Sequence, residues 1–269
     1  MSGFSADWLT LREPHDLRAR NLAVLEAVSA SLEPRSSVQV VDLACGTGST
    51  MRALGSRLPA RQNWKLIDND PGLLARATAK PPAKDAAITA VALDLNRDLE
   101  TAFDEAVDLV TTSALLDLVS DDWLDRLAVA IAARSIPLYA ALSYDGRIGF
   151  APPDPFDSAV ATAVNAHQRT DKGFGAALGP TAGALAIARF EALGYSVVCG
   201  ASDWKIGPDD RDMQTELLAG WASAAQDIGA LSPADTAAWL KRRHDIVAAG
   251  CGSLEVGHVD FFATPSATR

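Results

Sequence analysis

Residues 40–54 read VVDLACGTGSTMRAL: an apolar run, an acid, two glycines spaced one residue apart, and then a stretch with helical character. A buried strand, a tight glycine turn and a helix in this order are typical of the nucleotide-binding edge of a parallel sheet. Parallel strands also need long crossover connections, which are usually helical. The stretch therefore predicts an α/β fold and raises the question of which nucleotide the turn binds.

Strand-like and helix-like patterns alternate along the chain around this turn. Asp70 and Pro71 supply an N-cap and a first-turn proline for one of the helices. Strands that are apolar throughout fit a parallel sheet that is covered by helices on both faces. Five strands with helices between them are predicted, at residues 38–44, 63–68, 86–94, 107–113 and 136–143.

The flanking segments are predicted to extend this sheet and its helical layers. One amphipathic helix is expected at residues 15–32, before the first strand. A helix at 180–195 and a sixth strand at 195–204 resume the alternation, and 254–263 is a candidate final strand. The sheet is therefore expected to have seven strands.

The alternation breaks after residue 143. Residues 144–179 are rich in proline and glycine, and residues 206–252 carry helical patterns without a strand. Both segments are predicted to be helical insertions, after strands five and six, within a single domain that spans residues 1–269. Its core, residues 38–143, carries the glycine turn.

Two common nucleotide-binding motifs do not fit the turn. The dinucleotide motif G-x-G-x-x-G needs a third glycine for close packing of helix on strand. Gly46 and Gly48 match its first two positions, but Met51 stands at the third. A P-loop needs Gly-Lys-Ser/Thr after the turn, and the sequence has none. Nicotinamide, flavin and P-loop nucleotides are therefore disfavoured.

VVDLACGTG resembles the first motif of the class I S-adenosylmethionine-dependent methyltransferases. The resemblance implies a Rossmann-like sheet whose final strand is antiparallel, and a loop that passes under the methionine part of the cofactor. Asp42, Ala44, Gly46 and Gly48 occupy the acid and glycine positions of the motif. Ala44 replaces the commonest first glycine, a change that still leaves little bulk.

Three later segments resemble the next motifs of the same family, and each ends a predicted strand. The resemblance implies that the acid of LIDND binds the ribose hydroxyls of the cofactor, and that VALDLN contacts its adenine. It also implies that VDLVTTSALLDLV lies beside the cofactor. Open α/β sheets bind ligands at these strand ends. The implied cofactor contacts are Asp68 and Asn69, Asp94 and Leu95, and Ser113 with Ala114.

The N-terminal residues are implied to fold over the cofactor, as they often do in this family. Trp8 and Arg12 precede the predicted first helix. Arg12 is the candidate for the methionine carboxylate, and a surface arginine is the alternative.

The acceptor pocket is expected to be covered by the insertions. Arg169 and Lys172 are candidates to bind an anionic group of the acceptor, and His167 is a candidate base. The alternatives are a solvated loop and a histidine at a helix end. Asp117 and Tyr144 follow the fourth and fifth strands and are expected to line the acceptor pocket.

The charge and the composition of the chain limit the kinds of partner that it is expected to bind. The formal net charge of −10 disfavours nucleic acid, and the Asn/Asp-Pro-Pro-aromatic motif of base-modifying methyltransferases does not follow the fourth strand. Three cysteines without CxxC spacing predict neither a disulfide framework nor a metal site. No apolar signal or membrane-spanning stretch is found, so a cytoplasmic protein without a membrane partner is expected.

The sequence therefore predicts a methyltransferase that uses S-adenosylmethionine, releases S-adenosylhomocysteine, and methylates a small molecule by in-line displacement. One alternative is a non-catalytic, regulatory protein that binds S-adenosylmethionine. The other is a nicotinamide-dependent oxidoreductase, which Met51 disfavours.

Overall fold

A computed structural model describes residues 4–80 and 86–266. Its strands are β1 (Ser37–Leu43), β2 (Arg61–Asp68), β3 (Ala86–Ala92), β4 (Leu109–Ser113), β5 (Leu138–Ala151), β6 (Tyr195–Ala201), β7 (Trp204–Ile206) and β8 (Ser253–Pro265). Its α-helices are α1 (Ala6–Ala19), α2 (Leu22–Leu32), α3 (Ser49–Leu54), α4 (Pro71–Thr78), α5 (Asp121–Ala132), α6 (Asp157–His167), α7 (Ala182–Ala192), α8 (Arg211–Ile228) and α9 (Pro233–Ala248). Short 3₁₀ turns lie at Leu99–Phe103, Leu116–Leu118 and Gly179–Thr181.

The strands form one sheet in the order β3-β2-β1-β4-β5-β8-β6, and the short β7 pairs with β8. β1 to β5 pair in parallel, whereas β8 runs antiparallel between β5 and β6. The predicted α/β fold, with a mostly parallel sheet and an antiparallel final strand, is confirmed. The sequence did not indicate β7, which adds an eighth strand among the described residues.

The prediction that strand five ends at residue 143 is wrong. β5 continues to Ala151, because the long β8 offers it partners along the whole extension. Two register shifts interrupt the pairing. Tyr144 lies opposite His258 between the two shifts, and Ala151 lies opposite Ser253 beyond the second. The first eight residues of the predicted insertion are therefore part of the sheet.

The prediction of one helix at residues 15–32 is also wrong. α1 begins at Ala6, where Ser5 accepts a capping hydrogen bond, and Pro14 lies inside it. α1 ends at Ala19, and the Asn21 side chain caps the start of α2 by accepting a hydrogen bond from Val24 N at 3.2 Å. An asparagine that satisfies a free helical amide favours a new helix start over continuation. Residues 15–32 thus belong to two helices.

The core forms on both faces of the sheet. On one face, α5 and α7 bury Trp123 and Phe190 against β4, β5 and β8. On the other face, α2, α3 and α4 cover β1 and β2 around Trp64. A third cluster joins α6, α8 and α9 to the extension of β5, where Trp221 and Trp239 pack on Phe150. The helices of both predicted insertions are therefore packed against the sheet.

Asp260 connects the break between α1 and α2 to the sheet. Its carboxylate is fully buried and accepts hydrogen bonds from Asn21 N at 3.0 Å, Leu142 N at 2.8 Å and Tyr139 Oη at 3.3 Å. Leu142 has a φ of +53° at a bulge of β5, so its amide turns out of the ladder toward Asp260. Arg20 donates to Tyr139 Oη at 3.0 Å. The negative charge of Asp260 thereby helps to stabilise the positive charge of the buried Arg20 guanidinium.

Replacing Asp260 by alanine is expected to destabilise the protein strongly. The change removes three hydrogen bonds and leaves Arg20 buried without this counter-charge, which typically costs about 3–5 kcal/mol. Urea denaturation measures the free energy of unfolding. The exposed Asp104→Ala variant is the control, expected to stay within about 0.5 kcal/mol. A loss below about 1 kcal/mol for Asp260→Ala would contradict this assignment.

Candidate active site

A cleft of about 670 Å³ lies at the carboxyl ends of the parallel strands. Its floor consists of the segments that follow β1, β2, β3 and β4. Its walls come from α1 and from residues 171–174. The sheet thus brings four segments that are distant in sequence to one cavity.

The turn after β1 presents bare backbone to this cleft. Ala44 and Gly46 have φ values of +52° and +53°, and Gly48 has a φ of +83°. A Cβ atom on Gly46 would lie 3.2 Å from the Leu9 side chain of α1, so a larger residue would narrow the cleft. Gly48 lies outside the cleft lining as the N-cap of α3, and a Cβ atom there would lie 3.2 Å from the Ala77 side chain. Ala44 shows that this left-handed position tolerates a methyl group, at some conformational cost.

Asp68 at the end of β2 joins two of the cleft segments. Its Oδ2 accepts from Gly46 N at 2.8 Å, and its Oδ1 accepts from Asp70 N at 3.0 Å. Burial raises the pKa of this carboxyl, while the backbone amides oppose the shift. The carboxylate lines the cleft together with Asn69. Asp70 is itself the N-cap of α4, and Pro71 the first helical residue, as predicted.

Asp42 lies beneath the glycine turn and outside the cleft lining. It is 1% exposed, and its Oδ1 accepts from Thr111 Oγ1 at 2.7 Å. Its Oδ2 has no hydrogen-bond partner among residues 4–80 and 86–266. Burial raises the pKa of Asp42 to about 7. The structure therefore gives Asp42 a supporting position under the turn.

The segments that follow β3 and β4 form the end of the cleft that lies away from α1. Asp94, Leu95, Ser113 and Ala114 all line it. The Asp94 carboxylate accepts from Asn96 N at 2.9 Å, which fixes this turn.

Residues 171–174 close over this same end. Asn96 Nδ2 donates to Gly173 O at 2.9 Å, and the Phe174 ring lies edge-on to Trp123 at 5.6 Å between centroids. Trp123 in turn donates to Leu95 O at 2.7 Å. Asn96 and Phe174 were missed in the sequence, because neither lies in a cofactor motif. The glycines around Phe174 were the available signal.

α1 forms the wall at the other end, and Arg12 lies within α1 rather than before the first helix. Arg12 donates to both carboxylate oxygens of Asp16, at 3.0 and 3.2 Å. Trp204 of β7 donates to Asp16 Oδ1 at 3.0 Å, and its ring centroid lies 4.9 Å from Arg12 Cζ. Asp16 also lines the cleft and was missed in the sequence, although its spacing of four residues from Arg12 permits an ion pair on a helix.

The three candidate residues at positions 167–172 lie in different surroundings in the structure. Lys172 lines the cleft, with Nζ 3.0 Å from Thr170 Oγ1 and 3.3 Å from His167 Nδ1. His167 lies outside the cleft lining and faces Asp227 of α8 at 3.5 Å. Arg169 is exposed and also outside it. Burial lowers the pKa of both His167 and Lys172.

Asp117 and Tyr144 are buried behind the cleft lining rather than in it. Tyr144 Oη donates to Asn165 Oδ1 at 2.7 Å. Burial raises the pKa of Asp117 to about 6, and the charge of Arg12 and the Tyr144 amide oppose this rise. Of the five predicted acceptor residues, Lys172 therefore lines the cleft, whereas Asp117, Tyr144, His167 and Arg169 lie outside its lining.

Two further features concern residues 4–80 and 86–266. They contain no group of three His, Cys, Asp or Glu side chains placed to hold a metal ion. None of their helices is both long and apolar enough to span a membrane.

Residues 40–134 match the family model described as a methyltransferase domain. This part of the chain is therefore a methyltransferase domain. The matched residues run from β1 to the end of α5 and include the four segments that form the floor of the cleft. The predicted family and enzyme class are thereby confirmed.

Solved structures support the fold of this methyltransferase. A cyclopropane-fatty-acyl-phospholipid synthase-like protein from Lactobacillus casei is similar with a TM-score of 0.55 and 14% identity, over 97% of this chain and 94% of the other. The cyclopropane synthase MmaA2 from Mycobacterium tuberculosis is similar with a TM-score of 0.51 and 12% identity, also over 97% and 94%. No curated protein matches the sequence.

Replacing Asp42 by asparagine is expected to stabilise the protein in a pH-dependent manner. The folded state binds the Asp42 proton more tightly than the unfolded state, so wild-type stability falls between the ordinary pKa of 3.8 and the folded value of about 7. Asparagine has no such proton. The variant should match wild type near pH 4 and be more stable by on the order of 2–4 kcal/mol above pH 7.

Urea denaturation of both proteins between pH 4 and pH 8 tests this expectation, with the exposed Asp104→Asn variant as control. A stability difference for Asp42→Asn that does not change with pH would show that Asp42 is ionised throughout.

Proposed function

We propose that this methyltransferase binds S-adenosylmethionine in the cleft and transfers its methyl group to a small molecule at the α1 end. One observation carries the proposal: bare backbone at Ala44–Gly46 and the acids Asp68 and Asp94 line a single cavity at adjacent strand ends. A narrow backbone floor suits a thin aliphatic chain, and carboxylates suit hydroxyl and amino groups.

The cleft residues fit the parts of the cofactor in order. Gly46 leaves room that a Cβ atom would fill, so the methionine part would lie between the turn and Leu9. Asp68 already accepts one backbone hydrogen bond on each oxygen, and each oxygen has a second lone pair for a ribose hydroxyl. Asp94 and Leu95 would then contact adenine.

The remaining contacts would lie along the middle of the cofactor and at its methionine carboxylate. Ser113 and Ala114 would line its central part, where β4 ends. Arg12 has a guanidinium at the cleft wall for the methionine carboxylate, beside its ion pair with Asp16. S-adenosylmethionine supplies an electrophilic methyl group on a sulfonium. The chain supplies orientation and a partly enclosed site, which suffice for much of the rate of such a displacement.

A small-molecule acceptor is supported by the shape and charge of the site. α1 is fixed across the cleft by Arg52 of α3, which pairs with Glu13 at 2.5 and 2.7 Å and also donates to Thr47 O at 2.6 Å. Residues 171–174 cover the other side. A partly covered cleft in a chain of net charge −10 disfavours nucleic acid as acceptor.

Lys172 is better placed to contact the cofactor than the acceptor. Its neighbours Gly173 and Phe174 are held at the adenine end, by Asn96 and Trp123. We therefore assign Lys172 to the roof over the cofactor, and no ligand to the exposed Arg169.

Removing the Asp68 carboxylate should weaken cofactor binding. Asp68→Ala deletes the proposed ribose acceptor, and a hydrogen bond to a charged group contributes about 1.5–3 kcal/mol. We expect affinity for S-adenosylhomocysteine to fall roughly tenfold to a hundredfold, measured by calorimetry. Asp122→Ala, at an exposed position in α5, should bind as wild type does. Unchanged affinity in Asp68→Ala would make Asp68 a purely structural link between two turns.

Lys172 and Arg169 provide a matched pair of cationic substitutions. Lys172→Ala removes a side chain from the cleft wall, and we expect a threefold to tenfold loss of affinity for S-adenosylhomocysteine, about 0.7–1.4 kcal/mol. Arg169→Ala removes an equally cationic side chain outside the cleft and should leave affinity unchanged. Equal losses in both variants would indicate a general charge effect and would refute the roof assignment.

A further inference from the structure

The guanidinium of Arg12 uses only part of its hydrogen-bonding capacity within the chain. Its Nε and Nη2 donate to the two carboxylate oxygens of Asp16, at 3.0 and 3.2 Å. A guanidinium has five N–H donors, so three remain, on Nη1 and Nη2. Nη1 makes no hydrogen bond with residues 4–80 and 86–266, and it is not fully buried. Because Arg12 lines the cleft, these donors remain for a ligand there.

Asp16 is held in turn by Trp204 of β7. Trp204 Nε1 donates to Asp16 Oδ1 at 3.0 Å, so this oxygen accepts from two groups. The same indole lies against the Arg12 guanidinium, whose Cζ is 4.9 Å from the ring centroid. Asp16 and Trp204 are both buried. One indole thus contacts both members of the ion pair, through a hydrogen bond to Asp16 and a cation–π contact with Arg12.

Trp204 is itself fixed to the sheet. β7 pairs with β8, and Trp204 lies opposite Val256. The rings of Trp8 and His258 pack on the indole, at centroid distances of 6.3 and 4.8 Å. The indole N–H therefore ties Asp16 to β8 as well as to its own helix. An exposed ion pair with the same spacing lacks such an anchor and orders its side chains only weakly.

These contacts order Arg12 before a ligand arrives. A mobile arginine loses rotational freedom when it binds a carboxylate, and this loss reduces affinity. Asp16 and Trp204 remove most of that freedom in the folded protein. Because Asp16 occupies the edge formed by Nε and Nη2, a ligand carboxylate meets the other edge, formed by Nη1 and Nη2. The ligand carboxylate is thereby limited to one side of the guanidinium.

We infer that Asp16 and Trp204 are positioning residues, which orient Arg12 so that the cleft selects a cofactor with a free carboxylate. This inference rests on the proposed function, in which Arg12 binds the methionine carboxylate of S-adenosylmethionine. Asp16 and Trp204 act through Arg12 and not on the carboxylate itself. An ionised Asp16 alone would repel that carboxylate, and its pairing with Arg12 offsets the repulsion.

Two ligands that differ in one group test this inference. S-adenosylhomocysteine has the carboxylate, whereas S-adenosyl-3-thiopropylamine lacks it and keeps the amine, the ribose and the adenine. Calorimetry at about pH 7.5 measures the affinity of the full chain for each ligand. We expect the wild-type protein to bind S-adenosylhomocysteine at least about tenfold more tightly, because the analogue cannot form the charge-assisted contact with Arg12.

Substitutions assign this preference to the positioning residues. Trp204→Phe keeps an aromatic ring against Arg12 and removes the N–H that donates to Asp16. We expect it to weaken S-adenosylhomocysteine binding about threefold to tenfold, and to change the affinity for the analogue less than about twofold. Asp16→Asn should act in the same direction, although it removes a negative charge from the cleft. Trp221→Phe in α8, outside the cleft lining, is the matched control and should leave both affinities unchanged.

A double-mutant cycle tests whether Trp204 acts through Arg12. Arg12→Met keeps a long side chain and removes the guanidinium, so it should abolish most of the preference for the carboxylate. In this background, Trp204→Phe should change the affinity for S-adenosylhomocysteine less than about twofold, because the interaction that it serves is already absent. The same threefold to tenfold loss as in the wild-type background would overturn the inference.

The outcomes separate the inference from the proposed function. Failure of the wild-type protein to bind S-adenosylhomocysteine would overturn the proposed function itself. If S-adenosylhomocysteine binds, three results would still overturn the inference: equal wild-type affinity for the analogue, tighter S-adenosylhomocysteine binding by Asp16→Asn, and either no loss or equal losses for both ligands in Trp204→Phe. Both ligands are compared on one protein sample, so a smaller folded fraction changes the number of binding sites and not the ratio of affinities.

Discussion

The carboxylate of Asp68 connects the turns at the carboxyl edge of the parallel strands. It accepts one hydrogen bond from the turn after β1 and one from the turn after β2, so two segments separated by a whole helix and strand keep a fixed distance. The cost of burying this charge is offset by the amides that point at it. Because Asp68 also lines the cleft, the contacts that order the two loops also fix the position of its carboxylate at the cavity wall.

A second buried carboxylate, Asp260, has the corresponding role on the antiparallel side. It fixes the start of α2, the bulge in β5 and the position of Arg20 at once. α1 precedes this junction and forms a wall of the cleft, so the anchoring of Asp260 also sets where Arg12 and Asp16 stand. The proposed cofactor end and the proposed acceptor end of the site thus depend on separate buried acids.

Local sequence signals were sufficient to predict the strand, turn and helix elements that form the floor of the cleft. A strand, a glycine turn and a helix lie within fifteen residues, and Asp70 with Pro71 marks a helix start without help from the rest of the chain. The region around α1 depends on contacts that no local pattern records. Trp204 reaches Asp16 across 188 residues, and Tyr144 meets His258 only because β8 extends far enough to pair with the second half of β5. For the same reason β7, the length of β5 and Asp16 were not predicted. Lys172 and Arg169 looked equivalent in sequence, and the conformation of the glycine-rich loop decides which of them enters the cleft.

The proposed function requires that the cleft bind S-adenosylmethionine and not a dinucleotide. Thermal unfolding of the full chain with S-adenosylmethionine, S-adenosylhomocysteine, NAD or NADP tests this claim, because a ligand that binds only the native state raises the melting temperature. We expect both sulfur compounds to raise the melting temperature in a concentration-dependent manner and both dinucleotides to leave it unchanged. A rise with NAD or NADP, but not with S-adenosylmethionine or S-adenosylhomocysteine, would contradict the claim.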